Sequence, residues 1–260
     1  MQLHHEVHDG SGPFLLLLHG LLSSRAQWSA NLASLSRHFR PVVVELLGHG
    51  RSPSPGDPEA YRPAAYVAGF ERLRAFLGAE QWFVCGQSLG AALTLRYVLA
   101  HPERVRAHVI TNSNSAFATE AWAEAVQPGM QALQARLVAE GRTAMESLPI
   151  HPKHARSLPP EAKAELVADC KLHDPVGIGF TASVTVPTSP VRDDARNNRV
   201  PTLLVHGVRE RRFAEHAEWA AENVPGLQVT PVDAGHAVNL EAADVFDEIV
   251  LDWLRQTGIL

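Results

Sequence analysis

Six short apolar runs recur along the chain, at 14–18 (FLLLL), 41–45 (PVVVE), 82–86 (WFVCG), 106–111 (RAHVIT), 201–206 (PTLLVH) and 227–233 (LQVTPVD). None alternates strictly with polar residues, which is the pattern of strands buried on both faces. Between them, 26–38, 64–77, 88–100, 212–223 and 239–256 carry apolar residues at helical spacing. Alternation of this kind predicts a parallel sheet covered by helices on both sides, because parallel neighbours need crossover connections. The stretch 2–8 adds an antiparallel edge strand, turned by the Asp-Gly-Ser-Gly at 9–12.

The alternation breaks once. Between the runs at 106–111 and 201–206 there is no strand pattern; helical spacing appears at 119–140 and 160–173, followed by the Pro/Ser/Thr-rich piece TASVTVPTSP. The predicted fold class is α/β: a mostly parallel, doubly wound sheet with a helical cap inserted after the strand at about 106–111. Residues 1–115 and 197–260 form the core domain on this reading, and 116–196 the cap.

Composition narrows the function. A chain of 260 residues accommodates one large α/β domain with an insertion. Its 23 basic against 28 acidic residues, a net charge of −5, argue against a nucleic-acid partner. Two cysteines make no disulfide framework. The polar N-terminus lacks a signal-peptide pattern, and PFLLLL is too short to span a bilayer, so a cytoplasmic protein without a membrane partner is expected. No clustered ligand spacing calls for a metal or cofactor. A small molecule is the expected partner, and a homodimer is compatible with the chain.

In open parallel sheets, ligands bind beyond the carboxyl ends of the strands. The third strand–helix junction there reads Gly86-Gln87-Ser88-Leu89-Gly90. A strand turning sharply into a helix needs small neighbours. It leaves the turn serine exposed at a helix N-terminus, where N–H groups favour developing negative charge. A serine hydroxyl needs a base. His236, in VDAGHAVNLE after the last strand, can take the proton and return it to a leaving group. The base needs a carboxylate to fix its tautomer. Glu210 is the carboxylate between the 201–206 strand and the helix starting near Phe213, with Asp233 as its rival. The junction after 106–111, TNSNSAF, offers no carboxylate before Glu120. Backbone N–H groups of Leu89 and of Leu21, after His19-Gly20, are the candidates for an oxyanion hole. Arg51 in GHGRS and His19 read as structural. Phe117, Trp122, Met130, Met145 and Phe180 are candidates for an apolar substrate pocket, each with a plain core role as the competing reading.

Taken together, HG at 19–20, GHGRS at 48–52, GQSLG at 86–90, PTLLVHG at 201–207 and AGH at 234–236 resemble the α/β-hydrolase superfamily. The resemblance covers nearly the whole chain, and a serine at the elbow implies acyl chemistry. The stretches 18–52 and 206–241 also resemble the menaquinone-pathway lyase, SHCHC synthase, and its hydrolase relatives. The resemblance places Glu210 where those proteins carry an aspartate, and Ala92 where the lyase carries a substrate-binding arginine. TNSNSAF is similar to a small-residue stretch of enol-lactonases. The expectation is a serine hydrolase of an ester, thioester or lactone, using Ser88, His236 and Glu210. Two alternatives stay open. One is a lyase or carbon–carbon bond hydrolase with the same triad, signalled by Arg136, Arg142, Lys153, Arg156 or Lys171 facing the pocket. The other is a ligand sensor with a vestigial triad.

Overall fold

The computed structural model describes residues 2–260. Seven strands form one sheet: β1 (His5–Val7), β2 (Phe14–Leu18), β3 (Arg40–Val44), β4 (Trp82–Gly86), β5 (Val105–Thr111), β6 (Thr202–Gly207) and β7 (Leu227–Val232). Their spatial order is β1-β3-β2-β4-β5-β6-β7. Every neighbouring pair is parallel except β1 and β3. The helices are α1 (Ser29–Leu35), α2 (Pro63–Phe76), α3 (Leu89–Ala100), α4 (Glu120–Glu140), α5 (Arg142–Ser147), α6 (Pro160–Cys170), α7 (Pro175–Phe180), α8 (Val186–Thr188), α9 (Ala214–Asn223), α10 (Val238–Glu241) and α11 (Ala243–Gln256). Helices α4 to α8 all lie between β5 and β6.

The runs without alternation are explained by the two faces of the sheet. Along β2, Leu15 and Leu17 join Phe83, Cys85 and Val109 against Trp28 and, on α11, Phe246, Val250 and Leu254. Leu16 and Leu18 point the other way, joining Val42, Val44 and Val84 against Tyr66 and Phe70 of α2 and Leu93 and Tyr97 of α3. Side chains alternate across a strand, so a strand covered twice must be apolar at every position. Fully burying one such leucine contributes roughly 1.5–3 kcal/mol. A third cluster packs Ile110 and Leu204 beneath Ala91, Leu95, Phe213 and Ala217.

Three elements depart from the sequence reading. The edge strand pairs with β3 rather than β2, so 9–12 is no hairpin turn; it carries the chain past the end of α1. A Cβ at Gly10 would sit 1.8 Å from the Phe39 carbonyl oxygen, and one at Gly12 1.7 Å from that of His38. The helix expected at 239–256 breaks at Ala242, whose φ of −141° and ψ of 54° separate α10 from α11. The Pro/Ser/Thr-rich piece is helical. Asp174 caps α7 by accepting from the Gly177 N–H at 2.8 Å, and Pro175 sits at its start. Residues 181–185 widen into a π turn before α8. Pro187 has no N–H to continue the regular ladder, and the Thr181 hydroxyl donates to the Gly177 carbonyl.

That helical run is seated on the loop after β3. The Asp174 N–H donates to the Gly48 carbonyl at 3.0 Å, and Thr185 Oγ1 donates to the Tyr61 carbonyl at 2.6 Å. A Cβ on Gly177 would lie 2.6 Å from Gly48 Cα, so the two backbones touch through glycines. On α6, Asp169 accepts from Ser24 Oγ at 2.9 Å and pairs with Arg51 at 3.4 Å and Arg25 at 3.7 Å. Among the described residues no helix is long and apolar enough to cross a membrane.

Candidate active site

Strand β4 turns directly into α3 at Ser88, whose φ of 54° and ψ of −120° place a non-glycine residue in a conformation that side chains disfavour. The turn closes because its neighbours are small. A Cβ at Gly86 would meet Thr94 Oγ1 at 2.4 Å, and one at Gly90 the Leu18 carbonyl oxygen at 2.4 Å. Gly20 completes the crowding, since a Cβ there would lie 2.7 Å from Ser88 Cβ and 3.2 Å from its Oγ. The loop after β2 therefore packs against the serine. Leu89, first residue of α3, has no helical carbonyl for its N–H.

That loop is held by buried histidines. His19 Nδ1 donates to the Gly20 carbonyl at 2.7 Å, and its Nε2 accepts the Leu46 N–H at 3.1 Å. Leu22, at φ 59°, donates its N–H to His49 Nε2 at 3.0 Å, while His49 Nδ1 donates to the Leu47 carbonyl. Burial holds His19 below the usual imidazole range and His49 well below it, so both rings are neutral. Arg51 is likewise held in structure, lying 3.6 Å from the fully buried Glu45 as well as beside Asp169.

His236 follows β7. Its Nδ1 donates to Glu210 Oε2 at 2.7 Å. Glu210 lies in the turn after β6, and two asparagines after β5 hold it. Asn112 Nδ2 donates to Oε2 and Asn114 Nδ2 to Oε1, each at 2.9 Å. Asn112 is itself fixed across the sheet, since its Oδ1 accepts the Gly207 N–H and its Nδ2 also donates to the Gly207 carbonyl. Burial pushes the Glu210 carboxyl up, but His236 and the two amides outweigh it and hold the group at about 2. An ionised carboxylate only accepts, so the proton in this bond sits on His236 Nδ1, and Nε2 is the nitrogen left to exchange a proton. An imidazole in that tautomer can take a proton from a nucleophile. The rival acid, Asp233, is exposed and pairs with Arg209 at 2.9 Å.

The elbow and the histidine loop meet through Gln87, whose Nε2 donates to the His236 carbonyl at 3.4 Å. Asn112, Asn114 and Gln87 escaped the sequence reading, although two asparagines two apart at a strand's carboxyl end were a usable signal. The pocket candidates divide. Phe117 is fully buried beside Trp219 in the β5–β6 core cluster. Met145 is fully buried among Leu22, Leu137, Leu148 and Ile178. Neither exposes surface in this structure. Phe180 is half-buried against the Tyr61 ring, and Trp122 and Met130 on α4 are half-buried. The basic residues that would have signalled a polyanion pocket, Arg136, Arg142, Lys153, Arg156 and Lys171, are all exposed. Arg136 bonds Glu140 and Ser147, Arg142 bonds the Cys170 carbonyl, and Lys153 pairs with Glu146. Ala92 is fully buried. Among the described residues no three His, Cys, Asp or Glu side chains are grouped to hold a metal ion.

Known proteins share this arrangement of strands and helices. The profile of a family described as alpha/beta hydrolase fold matches residues 13–243. A carboxylesterase of Bacillus subtilis, YbfK, is 28% identical over 251 residues, covering 93% of this chain and 80% of that protein. The pimeloyl-[acyl-carrier protein] methyl ester esterase of Nitrosospira multiformis is 29% identical, covering 82% and 81%. The solved structure of MenH from S. aureus superposes with a TM-score of 0.86 at 19% identity, covering 97% of this chain and 98% of that one.

Proposed function

The chain belongs to the alpha/beta hydrolase fold family, and on that premise we propose that it is a serine hydrolase cleaving a carboxylic ester, thioester or lactone. The observation that carries the reading is the His236–Glu210 hydrogen bond, because an imidazole fixed as the Nδ1 tautomer is a general base ready for use. Ser88 attacks the substrate carbonyl as His236 Nε2 takes its proton. The N–H groups of Leu21 and Leu89 stabilise the oxyanion, and His236 returns the proton to the leaving alcohol, thiol or enol. Water, activated by the same imidazole, then attacks the acyl–Ser88 ester and frees the acid. No step needs a cofactor. Residues 116–196 act as a cap over the reacting groups, with the half-buried Phe180, Trp122 and Met130 as candidate contacts for an apolar acyl group.

Two relatives named as esterases support ester chemistry. The surface contacts of Arg136, Arg142 and Lys153 favour it over lyase chemistry on a polyanion. A panel of p-nitrophenyl esters, acyl thioesters and lactones, run with the wild type and Ser88→Ala, tests the reading. Turnover that vanishes in Ser88→Ala is expected, with stoichiometric labelling of Ser88 by a fluorophosphonate. A wild type that turns over no member of the panel and takes no label would sink it.

A further inference from the structure

The hydrolase reading assigns no task to α10, a helix of four residues that begins two positions after His236 and is cut off from α11 at Ala242. We propose that Glu241 and Asn239 of this helix are positioning residues, which hold the His236 loop in register with Ser88 and the oxyanion loop. The inference rests on the hydrolase reading and adds to it the groups that set the geometry of its base.

Glu241 reaches back over the loop. Its Oε2 accepts the Gly235 N–H at 2.8 Å, and its Oε1 accepts the Ala237 N–H at 3.3 Å. Those are the N–H groups of the two residues that flank His236, so one carboxylate grips the backbone both before and after the base. Gly235 makes the approach feasible, since a Cβ there would lie 2.7 Å from Glu241 Oε1. His236 itself is exposed. Glu210 holds its imidazole at Nδ1, and the backbone beneath sets where the ring starts from.

A clamp on a four-residue helix is only as firm as the helix, and Asn239 makes it firm. Asn239 Nδ2 donates to the Gln27 carbonyl at 2.6 Å and to Asn31 Oδ1 at 3.2 Å. Its Oδ1 accepts from Gln27 Nε2 at 2.9 Å, and its own carbonyl accepts from Asn31 Nδ2 at 3.0 Å. Gln27 Oε1 in turn accepts the Ser23 hydroxyl at 2.9 Å, two residues beyond Leu21. Asn239 and Asn31 are fully buried and Gln27 nearly so. Gln87, beside the nucleophile, closes the circuit on the His236 carbonyl. Apolar side chains could fill this space, but hydrogen bonds fix direction as well as distance. Three chain segments, near residues 19–31, 87–88 and 236–241, are thereby referenced to one another.

The test compares wild type, Glu241→Gln, Glu241→Ala and Asn239→Ala by four readouts. These are kcat and KM on an ester turned over by the wild type, the rate of Ser88 labelling by a fluorophosphonate, the thermal midpoint, and the far-downfield proton resonance of the His236 Nδ1–H. Glu241→Gln keeps the shape but turns an NH2 group toward one of the two N–H donors. Misplacing a reacting group by an ångström costs on the order of 100-fold. Glu241→Gln is therefore expected to lower kcat and the labelling rate together by about 10- to 100-fold with KM within about threefold. Its thermal midpoint stays near that of the wild type, and the Nδ1 resonance broadens or disappears. Glu241→Ala falls further. Asn239→Ala shows the same kcat loss with a lower midpoint, measured where it remains folded. Glu241→Gln with wild-type kcat, labelling rate and resonance overturns the proposal, and so do variants whose activity falls only with the folded fraction. A wild type that takes no label overturns the hydrolase reading instead, and the resonance in Glu241→Gln then decides the positioning role alone.

Discussion

Asn112 and Glu210 meet across the carboxyl ends of β5 and β6, amide Nδ2 to carboxylate Oε2 at 2.9 Å, and the same oxygen accepts the His236 proton. The Glu210 carboxylate is thus held by donors from two separate loops. A glutamate fits this place because the bonds from Asn112 and Asn114 stop its longer side chain from swinging away. The first prediction concerns the identity of the acid. Glu210→Gln places an amide where His236 needs an acceptor and is expected to lower kcat by roughly 1,000- to 10,000-fold. Glu210→Asp is one methylene short of holding both asparagines and the imidazole, and is expected to lose about 100-fold. Asp233→Asn, on the exposed Arg209 pair, should stay near wild type. Kinetics of the three variants on one ester decide it, and a collapse in Asp233→Asn alone would reverse the assignment.

The asparagines also predict a stability signature. The Glu210 carboxyl sits at about 2 in the folded chain, below the ordinary carboxylate range of the unfolded one. The unfolded state therefore binds more protons between the two values, so Glu210 contributes stability above the ordinary range and loses it as pH falls toward 2. Asn114→Ala removes one of the donors that lower the value. Urea denaturation of both proteins at pH 7 and pH 3 is expected to show a smaller gap between them at pH 3. A gap that is equal at the two pH values refutes the linkage.

The residues of the proposed site differ in how visible they were in the sequence. Ser88 and His236 could be found from the sequence because strand–helix junctions are marked by local signals: apolar runs, small residues and helical spacing. Glu210 was singled out by position within a junction, and local sequence does not carry the contacts that distinguish it from Asp233: the bonds to His236, Asn112 and Asn114. Asn112, Asn114, Asn239 and Glu241 act through contacts that depend on the register of β5 against β6, or on a break at Ala242, and neither is written in local periodicity. The same holds for the helix at 175–188. Its Thr and Pro content argues against helix in isolation, and its stability comes from docking on Gly48 and Tyr61. Phe117 and Met145 are fully buried, which periodicity could not tell from the half-burial of Trp122, Met130 and Phe180.

Backbone strain at the elbow yields a third prediction. Ser88 holds φ 54° and ψ −120°, which glycine adopts freely and other residues do not. Ser88→Gly and Ser88→Ala should both abolish turnover, but only the glycine releases the strain. The glycine variant is expected to be more stable than the alanine variant by about 1–3 kcal/mol. Thermal or urea unfolding of the pair measures the difference directly, and equal stabilities would mean that the elbow stores no strain.

A fourth prediction concerns the seating of α6. Asp169 on α6 is nearly buried and gathers Ser24, Arg25 and Arg51 from the core. Asp169→Ala leaves the Ser24 hydroxyl without its acceptor and Arg51 with Glu45 as its remaining carboxylate. A loss of roughly 1–3 kcal/mol is expected, from the cost of leaving buried polar groups unpaired. The loss should be local. Amide exchange should quicken across 160–173 while β2, β4 and β5 keep their protection, and uniform quickening would show that Asp169 supports the whole fold instead.

Asp247 on α11 supplies the last prediction, because there burial outweighs the hydrogen bonds and the net shift is opposite to that of Glu210. Burial raises its carboxyl to about 7, against a lowering by Asn31, whose Nδ2 donates to Oδ1 at 2.9 Å. The folded chain then binds a proton that the unfolded chain has released, between the ordinary aspartate range and about 7. Stability from this group therefore falls as pH rises through that window and levels off above it. Asp247→Asn keeps an oxygen for Asn31 and removes the charge. Its thermal midpoint is expected to exceed that of wild type by several degrees at pH 8 and to differ little at pH 4. Melting curves at the two pH values are sufficient: an increment that does not grow with pH would place the burden on packing rather than on the buried charge.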